Sequence, residues 1–358
     1  MRSIVAQALL FAFAFAAIAP MAALGCDSGP REPPAGAAPP ATPAKTSGTA
    51  APAKTPDGAA KSRHPGVPRV VALGDVHGDL VATRAALRLA GALKEGDLAD
   101  RWAGGSLVVV QVGDQLDRGD QERAILDLFD RLADEAKKAG GAFHALNGNH
   151  EVMNVAFDFR YVTEGGFHDF EGLSGMPLSD PRLAELPPRS RARAAAFLPG
   201  APYAKLLGKR DVAVVIGDTA FVHGGLLPQH VRYGIDRINS ETRAWMNGES
   251  KSPPGILMGD DAPIWTRLYS GDAPTARECD TLRQALAALS VKRMVVGHTV
   301  QRNGITSACD GKIWRIDVGL ATYYGGRTEV LEIVGDEVRP VRAGADAAVP
   351  PSSSATPR

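Results

Sequence analysis

The sequence predicts an α/β protein built as a two-sheet β-sandwich flanked by helices. Three observations carry that expectation. From residue 70 to 146, apolar strand-like runs alternate with amphipathic helical ones. Beyond residue 210, short strand-like runs separated by glycine-containing turns dominate. Finally, five apolar runs end alike, with Asp, Asn or His set beside glycine.

The chain has 358 residues, enough for one large domain or two ordinary ones. Its 40 Lys and Arg balance its 40 Asp and Glu, which argues against a nucleic-acid binder. A hydrophobic content of 44% suits a packed core. Residues 1–25 read as a secretory signal peptide: Arg2, an apolar run over 4–19, then small residues. That run is short for a membrane span, which needs about 20 residues. Ala23-Leu24-Gly25-Cys26 resembles a bacterial lipobox, with Cys26 as the lipidated first residue of the mature chain. The plainer alternative is a chance cysteine beside an ordinary cleavage site. The expected location is therefore outside the cytoplasm, as a periplasmic or cell-envelope lipoprotein held to the membrane at Cys26. Residues 26–67, rich in Pro, Ala and Thr, lack the apolar surface to fold and read as an extended tether. The folded part is expected over 68–342, with a second Ala/Pro/Ser tail over 343–358. Cys279 and Cys309 remain; export permits a bridge between them, but two cysteines make neither a disulfide scaffold nor a zinc site.

The elements follow in order. A strand over 70–73 leads to a helix over 80–93, a strand over 106–112, a helix over 121–138 and a strand over 142–146. The second helix shows Ile125, Leu128, Phe129 and Leu132 on one face. This alternation implies parallel strands with helical crossovers, whose ligand groups collect at the strands' carboxyl ends. Helix and loop follow over 152–210, with LPPRSRARAAAFL as a local excursion. Strands over 211–216 and 219–222 flank the turn Gly217-Asp218 as a hairpin. Strands over 291–296, 312–318, 328–333 and 337–342 complete a half expected to be mostly β.

The strand ends carry the chemistry. The first run closes in GDVHGD, the second in GDQLDRGD, the third in NGNHE, the hairpin in FVHGG and a later strand in VVGHT. Any one of these is more often a turn or a hydrogen-bonded loop residue than a ligand. Five in series are hard to obtain from turns alone. Asp, His and Asn together offer the mixed oxygen and nitrogen donors that suit Mn, Fe or Zn.

These strings resemble the calcineurin-like metallophosphoesterases. GDQLDRG with GNHE is similar to the phosphoprotein phosphatase branch, and GDQLDRGDQE, NGNHEVMNVAFDFRYV and CDGKIWRIDVGL to the bacterial Shewanella-like protein phosphatases. The resemblance implies the calcineurin-like fold and a site for two divalent metal ions. Asp75 and His77 would hold the first ion, Asp114 would bridge, and Asn149, His223 and His298 would hold the second. Two ions lower the pKa of a shared water from ~16 toward ~7, so hydroxide can attack in line. The resemblance makes His150 the general acid and Asp117 the carboxylate that supports it. A structural ion pair is the alternative for these two. Arg118 would grip phosphate oxygens through its planar guanidinium. Arg267, in PIWTR, is a second candidate clamp, or an ordinary surface arginine. Asp79 and Asp120 receive no role.

The implied activity is hydrolysis of a phosphomonoester, with phosphorylated protein as the expected substrate. A dinucleoside polyphosphate or small phosphoester is the first alternative. A non-catalytic, tethered binding lipoprotein is the second; the retention of all six ligand positions with His150 and Arg118 argues against it.

Overall fold

Valine-rich segments buried on both faces make the central strands, as expected of parallel sheets covered by helices. The computed structural model describes residues 62–271 and 273–344. In chain order the elements are β1 (Arg63–His64), β2 (Arg69–Leu73), α1 (Leu80–Ala90), β3 (Val108–Gln111), α2 (Glu122–Lys138), β4 (Ala142–Ala145), α3 (Asn149–Val155), α4 (Glu164–His168), α5 (Arg191–Phe197), α6 (Pro202–Gly208), β5 (Ala213–Ile216), β6 (Thr219–Val222), α7 (Pro228–Tyr233), α8 (Ile235–Met246), α9 (Ala276–Leu289), β7 (Arg293–Val296), β8 (Thr306–Ala308), β9 (Ile313–Arg315), β10 (Glu329–Val334) and β11 (Glu337–Arg342).

One sheet has the order β11-β10-β2-β3-β4, with β2, β3 and β4 parallel. The other has the order β1-β5-β6-β7-β9-β8, with β6, β7 and β9 parallel. A single apolar core joins Val71, Val109 and Leu331 of the first sheet to Val214, Phe221 and Val295 of the second. Ile125, Leu128, Phe129 and Leu132 of α2 enter the same core, on the face the sequence indicated. The two-sheet, helix-flanked architecture is the one expected.

Several elements differ from expectation. Residues 62–67, expected in the tether, are instead partly ordered by pairing: β1 runs parallel to β5, Arg63 opposite Val215 and His64 opposite Ile216. Ser62 adds hydrogen bonds from its N–H to Asp236 and from Asn239 to its hydroxyl. Backbone pairing and polar contacts hold this segment, so its apolar content says nothing about its order. α1 stops at Ala90 rather than residue 93, because Gly91 takes a left-handed φ of 80° and donates to the carbonyls of Leu87 and Arg88. The second half is not mostly β. Parallel β6 and β7 require a crossover, and α7, α8 and α9 occupy it. The excursion at LPPRSRARAAAFL is interior: Arg193, Ala194, Ala195, Ala196 and Phe197 of α5 are buried.

Cys279 of α9 and Cys309, between β8 and β9, form a disulfide with Cα atoms 5.4 Å apart. Among the described residues no helix is long and apolar enough to cross a membrane. The expected signal peptide, Cys26, the tether up to residue 61 and the tail from 345 lie outside the described residues.

Candidate metal centre

Five strands, parallel to their neighbours within each sheet, aim their carboxyl ends at one place. β2 leads into Asp75 and His77, β3 into Asp114, β4 into Asn149 at the start of α3, β6 into His223, and β7 into His298. The first two loops are tied together: the N–H groups of Val76 and His77 both donate to the carbonyl of Asp114. All six side chains are buried, none more than 7% exposed.

Backbone carbonyls set the direction of each imidazole. His77 donates through Nδ1 to Leu116 (2.9 Å), His223 through Nδ1 to Val112 (3.0 Å), and His298 through Nε2 to Trp265 (3.0 Å). A carbonyl only accepts, so it draws the ring proton to that nitrogen and leaves the other lone pair facing the site. His223 Nε2 then lies 2.8 Å from Asn149 Oδ1, 3.1 Å from His298 Nδ1 and 3.1 Å from Asp114 Oδ2. Four lone-pair donors converge there. Burial, with His223 next to it, pushes His298 well below the ordinary histidine value, so a proton on His298 does not relieve the crowding. A cation does, and this donor set fits a divalent metal. On the other side of Asp114, His77 Nε2 is 3.8 Å from Asp114 Oδ2 and 3.9 Å from Asp75 Oδ2. Burial pushes His77 down to about 3, so it too remains a neutral donor. Burial, then Asp317 and Asp114, raises Asp75 well above the carboxylate range. That is the signature of crowded negative charge awaiting a counter-ion. Burial acts the same way on Asp114, but His223 and His150 beside it outweigh burial and hold its carboxyl well below that range.

The backbone is strained where the site is made. His77, Asp114, Asp117, Arg118 and His298 all have left-handed φ, between 40° and 67°. Such residues cost about 1–3 kcal/mol each and persist only where surrounding structure enforces them. Two glycines permit the packing: a Cβ on Gly148 would lie 2.2 Å from Asp114 Oδ1, and one on Gly297 would lie 2.3 Å from Asp75 Oδ1.

The remaining sequence candidates surround this cluster. His150 Nδ1 meets Asp117 Oδ2 at 2.5 Å, and its Nε2 lies 3.7 Å from Asp114 Oδ2. Burial lowers the His150 pKa, but the carboxylates of Asp114 and Asp117 more than offset it and leave it raised. Arg118 sits against three rings, 4.7 Å from the centroid of Tyr161 and 5.3 Å from those of Tyr323 and Tyr324. Arg267 is exposed beside the site and donates to the carbonyl of His298 and the hydroxyl of Thr299.

Sequence reasoning assigned nothing to several groups that build this site. Glu151 accepts from the N–H groups of Asp114, Gln115, Leu116 and Gly148 and so shapes two ligand loops at once. Its place three residues after Gly148, at the start of a helix, is a capping signal that could have found it. Asp79 caps α1 through Ala82 and also accepts from the N–H and hydroxyl of Thr322, beside Tyr323. Asp120 accepts from Thr163. Tyr161, Tyr323, Tyr324, Glu122, Asn154 and Arg193 carried no local signal.

The calcineurin-like phosphoesterase family matches the chain over residues 68–302. This protein belongs to that family. It is a metal-dependent phosphoester hydrolase, and its substrate is phosphorylated. The phosphoesterase is 43% identical over 298 residues to Shewanella-like protein phosphatase 2 of Arabidopsis thaliana, covering 75% of each chain. Among solved structures it is similar to the cold-active protein-tyrosine phosphatase of a psychrophilic Shewanella species, with a TM-score of 0.60 and 25% identity, covering 79% of this chain and 83% of that one. A serine/threonine phosphatase of Saccharomyces cerevisiae shares the fold, with a TM-score of 0.50, 14% identity and coverage of 80% and 85%.

Proposed function

We propose that this phosphoesterase is a two-metal phosphoprotein phosphatase that prefers phosphotyrosine. The observation that carries the preference is the placement of Arg118 among Tyr161, Tyr323 and Tyr324. A guanidinium that grips phosphate, walled by aromatic rings, offers a flat aryl ester both an anion partner and faces to stack on. The Shewanella relative that is a tyrosine phosphatase supports the same preference.

Asp75, His77 and Asp114 would hold one ion, and Asp114, Asn149, His223 and His298 the other, as Mn, Fe or Zn. Bound ions supply Lewis acidity, lowering the pKa of water and offsetting phosphoryl charge. Arg118 orients the phosphoryl group, with Arg267 as a second contact at the rim. His150 delivers a proton through Nε2 to the departing oxygen, while Asp117 accepts from Nδ1 and holds the ring. A second role for His150 has its own observation: on distance it groups with His77 and Asp114 as a possible ligand set. Metal-ligating histidines also donate to carboxylates, so metal content after its replacement separates the two roles. Residues 1–25 and Cys26 support export and lipid anchoring, and the disulfide is in keeping with an oxidising compartment.

The test is to chelate the purified protein, add Mn and measure metal stoichiometry with turnover on four substrates. These are a phosphotyrosine peptide, a phosphoserine peptide, a dinucleoside polyphosphate and nitrophenyl phosphate. Two equivalents of metal and the highest kcat/KM on phosphotyrosine are expected. Fastest turnover of the dinucleotide would favour the small-molecule alternative. No stoichiometric metal and no turnover would favour the non-catalytic binding lipoprotein.

A further inference from the structure

Arg193 is fully buried in α5, and each of its five N–H groups has an acceptor. Nε donates to Asn154 Oδ1 at 2.7 Å. Nη1 donates to Glu122 Oε2 and, at 2.8 Å, to the carbonyl of Gly166. Nη2 donates to Glu122 Oε1 at 2.8 Å and to Asp117 Oδ1 at 3.3 Å. Three of these contacts converge on Asp117. The first is direct. The second runs through Asn154: its amide oxygen faces Arg193, so its NH2 group must face the other way, where it donates to Asp117 Oδ1 at 3.0 Å and to the carbonyl of His150 at 2.9 Å. The third runs through Glu122, whose Oε1 accepts the backbone N–H of Asp117. Asp117 is thus held by backbone and by one carboxylate oxygen. Its other oxygen is left for His150 Nδ1.

We propose that Arg193 is a positioning residue for leaving-group protonation, setting the Asp117 carboxylate so that His150 presents Nε2 to the ester oxygen. This rests on the phosphatase reading above. In the step it serves, a water oxygen bonds to phosphorus, the ester P–O bond breaks, and the proton on His150 Nε2 passes to the departing oxygen, which leaves as an alcohol or phenol; one water proton stays with the phosphate product, the other is released to solvent, and His150 takes a proton back from solvent. A serine alkoxide needs that proton far more than a nitrophenolate does. Loss of positioning must therefore show as a change in leaving-group dependence. A lysine keeps the buried positive charge but not the planar fork, so it cannot hold Asp117, Asn154 and Glu122 together.

The experiment compares the full-length wild type, Arg193→Lys, His150→Asn and the double variant. Metal content and Tm are measured, with kcat and KM on a phosphoserine peptide and on nitrophenyl phosphate. Arg193→Lys should lose about 10–100-fold in kcat on the phosphoserine peptide, the usual range for residues that orient a functional group. It should lose less than about threefold on nitrophenyl phosphate, with KM and metal content unchanged, and nothing further in the His150→Asn background. Equal loss on both substrates, or additive loss in the double variant, would overturn the proposal and leave Arg193 as structural only. If Arg193→Lys does not fold, Asn154→Ala must reproduce the same leaving-group pattern, and an equal loss there overturns it. A wild type inactive on both substrates and on a phosphotyrosine peptide would instead refute the phosphatase reading, before any variant is compared.

Discussion

Gly297→Ala adds one methyl group beside Asp75 and tests whether this carboxylate has to stand where it does. The new Cβ would lie 2.3 Å from Asp75 Oδ1 and 2.9 Å from a methyl of Val112. Ordinary carbon–oxygen contacts begin near ~3.3 Å, so about 1 Å of displacement is required. Val112 is buried in the core, and the backbone of residue 298 donates to both oxygens of Asp75, so the carboxylate is the part that can move. Position 297 is not left-handed, so alanine adds no backbone strain there. The folding cost is that of overpacking, about 1–3 kcal/mol. A misplacement of about 1 Å can cost on the order of 10²-fold in rate, or roughly 2.7 kcal/mol of barrier. The assay is metal stoichiometry, Tm and kcat on nitrophenyl phosphate after reconstitution. Gly255→Ala serves as the control, because a Cβ there meets nothing within 4 Å. The expected result is a folded variant with depleted metal and about a hundredfold lower kcat, beside a silent control. Full metal content and kcat within about threefold of wild type would refute the placement of Asp75 in the centre.

His150→Asn should keep its metal and lose about 10²–10⁴-fold on a phosphoserine peptide, less on phosphotyrosine and least on nitrophenyl phosphate; loss of metal would make His150 a ligand instead. Asp114→Asn should lower the content of both metals and lose more activity than Arg118→Ala, as elemental analysis beside steady-state kinetics will read. Cys279→Ser opens a bridge between residues 30 apart. Loop-closure entropy puts the loss near 3.6 kcal/mol, a fall in Tm of roughly 2–4 °C per kcal/mol. An unchanged melt in the presence of reductant would show that the bridge does not stabilise the fold.

The ligand set was legible because each ligand lies within a few residues of the strand that positions it. Asp75 and His77 follow β2, and His298 follows β7 by two residues. Strand, glycine and donor therefore appear as one local string, and several such strings define a centre before any folding is considered. The helical faces were legible for the same reason, since a 3.6-residue period is local. α9 was open to the same treatment through its Thr275–Glu278 capping box.

What surrounds the ligands was decided by tertiary structure. Arg193 reaches Asp117, Glu122 and Asn154 across 76, 71 and 39 residues. Asp79 holds Thr322, next to the tyrosine pair, across 243 residues. Arg63–His64 becomes a strand only because an edge of β5 is free to pair with it. None of these residues has a neighbour in sequence that announces its partner. A buried guanidinium, a loop clasp and an edge strand are defined by what they touch, and contact between distant segments exists only once the two sheets have closed. The identity of the donors was thus written locally, while their orientation and the aromatic walls around Arg118 follow from packing.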